Sequence, residues 1–182
     1  MYRSVGLLGV AVAALVAGAS GDDNKPSREQ PKVVRDSVKG SIHHGSGGSW
    51  DRITGKVKVI DARTLEFADG TRMELDMVAP ELGQQGRIDG NLYPAGKEAA
   101  EFLRQQIGDR PVTLFHRDGH VMPYLGDENL EHTMVANGWA LADHSSLHAA
   151  EIIARENKRG LWRGEFVDPD AWRAGKRLPG ER

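Results

Sequence analysis

Residues 57–81 read VKVIDARTLEFADGTRMELDMVAPE, and the alternation of apolar and polar side chains in this stretch decides the fold. Val57 and Val59 flank Lys58 at its start, and Leu65 and Phe67 continue the pattern after a turn. Asp69-Gly70 is a two-residue hairpin signal, because both residues tolerate the positive φ angles of a tight turn. Three apolar residues then alternate with three charged ones. The stretch therefore predicts a three-stranded meander with one buried face.

The remainder of the domain alternates helices with short strands. Five strands combined with three helices indicate an α+β fold, with the strands closing into a small barrel of the OB type. After the meander we expect a polar surface loop over 81–93 and a helix that begins at Pro94 and ends at Gly108-Asp109. Strands should follow over 111–116 and 121–125, the second at an edge of the sheet because of Pro123. A short helix around Leu130 to Val135 and a helix over 147–158, which should bury Ala149, Ile152 and Ile153, complete the domain.

The two ends of the chain differ from the domain at 51–173. Residues 1–21 have a basic start, an uncharged run and small residues that fit a cleavage site, as in a secretory signal peptide. A retained membrane anchor is the alternative, since the run approaches the length of a bilayer span. Residues 22–50 are polar and Gly/Ser-rich, which predicts a flexible linker, and 174–182 read as a polar tail. We therefore expect an exported protein, periplasmic or extracellular, with no membrane span after cleavage.

Charge and cysteine content restrict the function classes. The 182 residues carry a formal net charge of −2, without the basic excess that phosphate neutralisation requires of most nucleic-acid binders. The chain has no cysteine, so no disulfide stabilises it in an oxidising compartment. Its stability must come from the hydrophobic core.

Several short segments, in order, resemble the staphylococcal-nuclease-like (thermonuclease) family. Ile60-Asp61-Ala62-Arg63-Thr64 resembles the family's V-D-G-D-T turn, and Ala79-Pro80-Glu81-Leu82 resembles D-A-P-E-L. The further matches are Tyr93 to Ala99 with the start of the family's first helix, Asn129 to Ala140 with N-x-x-L-V-x-x-G-x-A, and Arg159-Gly160-Leu161-Trp162 with R-G-L-W. The resemblance implies an OB-type barrel with three helices over about residues 52–173.

The resemblance also implies Ca²⁺-dependent phosphodiester hydrolysis, for which the family uses carboxylates, a glutamate and two arginines. The two metal carboxylates correspond here to Arg63 and Val78, and a guanidinium would repel Ca²⁺. The first arginine corresponds to Met73 or Glu74 and the second to His120, which can donate one hydrogen bond. Among these catalytic positions only the glutamate is kept, as Glu81.

Other side chains are weaker candidates for a site. Asp61 and Asp76 could form a relocated metal site with Glu81, although Asp76 equally fits the polar face of a strand. His144 and His148 have the i, i+4 spacing of a zinc pair, with Glu151 close by, and His43-His44 is a second histidine pair. Surface or linker histidines are the simpler interpretation of both pairs. Trp139 and Trp162 are expected to fill gaps in the core or at an interface, although either could stack on a base or sugar.

Two functions remain open on this sequence. The preferred one is a non-catalytic binding or accessory protein, with exopolysaccharide (succinoglycan) biosynthesis as its context. Small exported members of the family occur beside exopolysaccharide genes, and this chain resembles them in its size, signal peptide and degenerate motif. Its partner would be a polysaccharide or a biosynthetic protein, and no cofactor is expected. The alternative is a secreted Ca²⁺-dependent nuclease that acts on DNA or RNA.

Overall fold

The computed structural model describes residues 34–39 and 49–181, so the expected signal peptide and His43-His44 lie outside the described residues. The strands are β1 (Val34–Lys39), β2 (Ser49–Gly55), β3 (Val57–Val59), β4 (Thr64–Phe67), β5 (Arg72–Glu74), β6 (Gly86–Ile88), β7 (Asn91–Tyr93), β8 (Val112–Arg117), β9 (His120–Leu125), β10 (Glu128–Asn129) and β11 (Glu165–Phe166). The helices are α1 (Ala95–Ile107), α2 (Leu130–Ala136), α3 (His148–Glu156) and α4 (Pro169–Arg173), with 3-10 turns at Ser145–Leu147 and Gly160–Arg163.

The strands form three antiparallel sheets, ordered β1-β2-β8-β9-β10, β3-β4-β5 and β11-β6-β7. The fold is α+β, as the sequence predicts. The described strands do not close into one barrel, so the five-stranded barrel is not confirmed. β2 ends at Gly55 and β3 begins at Val57, which means that one length of chain contributes to two sheets.

The meander predicted from the alternation is the β3-β4-β5 sheet. Leu65 and Phe67 on β4 are buried, as the pattern requires. The turn at Asp69-Gly70 is one residue longer than expected, because the Phe67 N–H donates to the Thr71 carbonyl at 2.8 Å across a loop of residues 68–70. Gly70 takes a φ of 83°, the left-handed conformation that closes three-residue hairpin loops.

Two segments expected to be irregular contain strands. β1 lies within the predicted linker 22–50 and pairs with β2. The predicted loop over 81–93 contains the β6-β7 hairpin, in which Asp89 and Gly90 have φ angles of 49° and 81°. Positive φ at both central residues is the type I′ turn that suits a two-residue hairpin. β6 and β7 are three residues each, too short for an alternating pattern to show.

The strand that contains Pro123, β9, is not at the edge of the sheet as predicted. It lies between β8 and β10. β10 pairs only with Leu125 and Tyr124, however, so it does not reach Pro123. Proline cannot donate a ladder hydrogen bond, and here the shortness of β10 accommodates it.

The first helix is positioned by contact with the chain before it. α1 follows Pro94 and ends at Gly108, as predicted, and it buries Ala99, Leu103 and Ile107. Gly96 in its first turn lies directly against the backbone of Glu81, since a Cβ at position 96 would be 1.7 Å from the Glu81 carbonyl oxygen. The helix therefore fixes the backbone that carries Glu81.

The helix α3 has the predicted position but buries a different face. Ala150 and Ala154 are buried, whereas Ile152 and Ile153 are 53% and 49% exposed, and Ala149 is exposed as well. Ala150 and Ala154 are four residues apart, so they share one face of α3. Their small side chains let α3 pack closely against α2. The prediction that Ala149, Ile152 and Ile153 are buried is wrong for this reason.

The segment 174–181, expected to be a polar tail, folds back onto the domain. The carboxylate of Glu181 accepts hydrogen bonds from the backbone N–H of Gln85 at 2.8 Å and of Leu178 at 2.9 Å. It also accepts one from Nε1 of Trp172 at 2.6 Å. Within residues 34–39 and 49–181, no helix is long and apolar enough to cross a membrane.

Replacing Gly96 by alanine tests the contact between α1 and Glu81. At an open helical position this exchange stabilises a protein by about 1 kcal/mol. Here we expect a loss of about 1–3 kcal/mol in the free energy of unfolding, because the added methyl group meets backbone that must shift. Urea unfolding measures the change, with Lys97→Ala at the neighbouring exposed position as the control. A Gly96→Ala protein as stable as the wild type would contradict the contact.

Candidate functional site

Glu81, the residue that the resemblance aligns with a catalytic glutamate, is held between two arginines. Nη1 of Arg173 lies 2.7 Å from Oε1 of Glu81, and Nη1 of Arg63 lies 3.6 Å from the same oxygen. Nη2 of Arg63 also reaches Oε1 of Glu74 at 2.5 Å. Arg173 pairs in addition with Asp170. The carboxylate is therefore neutralised by guanidinium groups of this same chain.

The ion pairs of this network favour the charged form of Arg173. Burial alone would lower the pKa of Arg173, but its hydrogen bonds to Glu81 and Asp170 outweigh that effect and raise the pKa above the ordinary value. Glu81 remains 31% exposed at the side chain, so solvent reaches the network. An incoming cation would meet Arg63 and Arg173 at the position that the resemblance assigns to Ca²⁺.

Asp61 has a local structural role. Its Oδ1 accepts the backbone N–H of Arg63 at 2.8 Å and that of Thr64 at 2.7 Å. An aspartate that accepts backbone N–H groups two and three residues ahead stabilises a turn. This turn joins β3 to β4 and directs Arg63 towards Glu74 and Glu81.

Asp76 and His120 are brought together, although not with Glu81. Oδ2 of Asp76 lies 2.7 Å from Nδ1 of His120, and the side chains are 49% and 68% exposed, respectively. Among the described residues, Asp61, Asp76 and Glu81 do not form a group with oxygens within 4.8 Å of one another. The relocated metal site that these three residues could have formed is therefore not present.

A different cluster joins the chain around α2 to the segment before α3. One potential ligand atom from each of Glu131, Asp143 and His144 lies within 4.8 Å of the other two. Nε2 of His144 is 3.5 Å from Oε1 of Glu131 and 3.6 Å from Oδ1 of Asp143. We refer to these three residues as the Glu131 cluster.

The less favoured alternative for His144 and His148, a zinc pair on one face of a helix, does not fit the structure. His144 precedes the 3-10 turn and His148 is the first residue of α3, so the i, i+4 spacing does not lie on one helix. Oε1 of Glu151 instead accepts the backbone N–H of Ala142 at 3.2 Å, and its Oε2 lies 3.3 Å from Arg155. His144 turns towards Glu131, which the sequence analysis did not select.

Glu131 is an unusually buried carboxyl group, only 6% exposed. Its pKa is raised from 4.5 to about 8, mainly by burial and also by the negative charge of Asp143, a hydrogen bond shared with Asp143 and the negative charge of Asp76. Two carboxyl groups in contact share a proton readily, because both cannot ionise without repulsion. At neutral pH the pair therefore retains a proton.

The cluster adjoins an open groove of about 670 Å³. Its polar lining consists of four carboxylates and one guanidinium, from Asp143, Glu151, Asp168, Asp170 and Arg155. Its apolar lining comes from Val78, Leu141, Ala142, Trp162 and Phe166. The groove is therefore acidic, with an aromatic wall.

The two tryptophans expected to fill core or interface gaps differ in environment. Trp139 is 8% exposed and packs near Phe102, with ring centroids 6.4 Å apart, as expected. Trp162 lines the groove, where Phe166 meets it edge to face at 4.9 Å and the Arg155 guanidinium lies 4.3 Å from its ring centroid. Its Nε1 is buried without a hydrogen-bond partner.

No protein-family model and no curated protein sequence matches this chain. The functional interpretation consequently depends on the residues themselves and on their geometry.

Glu131→Gln tests the buried carboxyl pair. The folded-state pKa of Glu131 lies above its ordinary value of 4.5, so the folded protein holds a proton that the unfolded chain releases between about pH 4.5 and about pH 8. The contribution of Glu131 to stability is complete below this window and is lost as the pH rises through it. Glutamine donates a comparable hydrogen bond at every pH. We expect the stability of the variant relative to the wild type to increase from about pH 4.5 to about pH 8.

Urea unfolding at several pH values, in the presence of a chelator, measures this difference. Glu156→Gln, at an exposed position on α3, is the matched control and should show no such trend. Parallel pH profiles for the wild type and Glu131→Gln would contradict a buried, proton-sharing pair.

Proposed function

We propose that this chain is a non-catalytic binding module with a staphylococcal-nuclease-like fold, exported from the cell, in which the nuclease site is closed by ion pairs. The observation that carries the proposal is the pairing of Glu81 with Arg63 and Arg173. Two features support the OB-type fold: the chain passes directly from β2 to β3 between two sheets, and the meander is followed by α1 against Glu81.

The chemistry of Ca²⁺ supports the loss of nuclease activity. Ca²⁺ takes six to eight oxygen ligands, mostly carboxylates and carbonyls. At the expected metal position this chain has the guanidinium of Arg63 and the apolar Val78, whose carbonyl accepts the Leu141 N–H at 2.8 Å. Glu74, which lies on β5 where the resemblance places the first arginine, is itself paired with Arg63. Neither the metal nor the phosphate therefore has its usual ligands.

The groove favours a sugar ligand over a nucleic acid. A phosphodiester backbone is repelled by a lining with four carboxylates and one guanidinium. Carboxylates accept hydrogen bonds from hydroxyl groups, and aromatic rings offer flat apolar surface to a sugar ring. We infer that the groove binds neutral sugar units of a polysaccharide, which suits an accessory role in exopolysaccharide production.

The nuclease alternative depends on Glu81 and is tested directly. We expect the purified protein to show no Ca²⁺-dependent cleavage of DNA or RNA and no calorimetric Ca²⁺ binding at millimolar concentration, because guanidinium groups occupy the site. Cleavage that requires Ca²⁺ and disappears in Glu81→Gln would establish a nuclease and refute the proposal.

The double substitution Arg63→Asp with Val78→Asp serves as a positive control for that experiment. It removes one guanidinium and adds two carboxylates at the positions where the resemblance places the metal ligands. Gain of Ca²⁺ binding in this variant would support the fold assignment, and a properly folded variant without such binding would count against it.

Binding of sugars is tested by titrating the protein with neutral oligosaccharides while following tryptophan fluorescence and heat. Trp162→Phe keeps an aromatic ring but removes contact area, so we expect affinity to fall roughly two- to tenfold, or about 0.5–1.5 kcal/mol. Trp172→Phe is the matched control, because Trp172 is not among the groove-lining residues. Equal losses in both variants, or no binding of any neutral oligosaccharide by the wild type, would refute the groove as a sugar site.

A further inference from the structure

We propose that the Glu131 cluster is a binding site for a divalent first-row transition-metal ion, with Glu131, Asp143 and His144 as its protein ligands. This site is separate from the Ca²⁺ position that the family resemblance implies. The inference concerns only these three residues and does not depend on the sugar-binding proposal.

The spacing of the ligand atoms supports a shared ion. A tetrahedral metal ion with bonds of about 2.1 Å holds its ligand atoms about 3.4 Å apart. Nε2 of His144 lies 3.5 Å from the Glu131 carboxylate and 3.6 Å from the Asp143 carboxylate. Both distances exceed the 2.7–3.2 Å range of N–H···O hydrogen bonds. They match two ligands of a common ion better than they match a direct hydrogen bond.

The orientation of His144 is also that of a metal ligand. Nδ1 lies 2.8 Å from the Ser146 hydroxyl, and when that hydroxyl accepts the Nδ1 proton, Nε2 presents its lone pair to the carboxylates. Metal-binding histidines regularly donate their other ring N–H in this manner, which fixes both tautomer and ring direction. Ser146 therefore acts as a positioning residue for the site.

The two neighbouring carboxyl groups of the cluster favour the binding of a cation. Glu131 is 6% exposed, and it faces Asp143 with Asp76 also near enough to act on it. In the described part of the chain, no lysine or arginine nitrogen lies within 4.0 Å of either the Glu131 or the Asp143 carboxylate. Buried carboxylates are normally paired or bound to a metal. A divalent ion would displace the proton that Glu131 and Asp143 share and would balance the charge of both carboxylates.

The ligand set and its location indicate the class of ion. Imidazole together with carboxylates suits Zn²⁺ and Mn²⁺, whereas Ca²⁺ and Mg²⁺ prefer oxygen ligands alone. Asp143 also lines the groove, so an ion held by the cluster could be reached from solvent. Three protein ligands leave at least one coordination position for water or for a bound molecule.

Calorimetry and thermal unfolding of the full-length chain test the site, after treatment with a chelator and dialysis. We expect one equivalent of Zn²⁺ or Mn²⁺ to bind and raise the melting temperature, with Ca²⁺ having no comparable effect. Asp143→Asn and His144→Gln remove ligands outside the core and should weaken binding about tenfold or more. Glu131→Gln should do the same, and circular dichroism verifies that it folds.

Matched controls separate this site from other metal-binding groups. Asp170→Asn changes a groove carboxylate outside the cluster, and His148→Gln changes a neighbouring histidine, so both should bind the ion as the wild type does. His43→Ala with His44→Ala removes the other histidine pair. The proposal is overturned if the wild type binds neither ion, or if binding persists in Asp143→Asn and His144→Gln but is lost without His43 and His44.

Discussion

Glu81 is held on two sides, and the rest of the site is arranged around it. Its backbone lies against Gly96, where only a glycine leaves room for the first turn of α1. Its side chain pairs with Arg63 from the β3-β4 turn and with Arg173 at the end of α4. Single exposed ion pairs contribute at most about 1 kcal/mol each. The combination with a tight backbone contact nevertheless fixes the relative positions of segments far apart in sequence.

Much of the fold could be predicted because local signals agree with tertiary packing. The alternation at Leu65 and Phe67, the stop at Gly108 and the hairpin at Asp69-Gly70 act within a few residues, so they are visible in the sequence. The orientation of α3 is not a local property. Ile152 and Ile153 are more apolar than Ala150 and Ala154, yet close packing against α2 selects the small side chains. A prediction based on hydrophobicity alone therefore selects the face of α3 with the two isoleucines, which is exposed.

The site shows a similar division between local and distant information. The positions that the resemblance assigns to metal carboxylates hold Arg63 and Val78, and this can be read from the sequence, but the partners of Arg63 depend on how three segments meet. The role of Asp61 in its own turn is local and could have been anticipated from its spacing to Thr64. Glu131 also left a signal, since it precedes Met134 and Val135 by three and four residues and so lies on the buried stripe of α2. A carboxylate on an apolar stripe is a reason to search for a partner.

The attachment of residues beyond Arg173 has a consequence for how the chain reaches its native state. Arg173 pairs with Glu81 across 92 positions, and Glu181 accepts a hydrogen bond from Gln85 across 96. Contacts so distant in sequence close late, since a long loop must first be ordered. During synthesis, neither contact can form until residues 173–181 have left the ribosome. The surroundings of Glu81 therefore remain incomplete long after Glu81 itself has been synthesised.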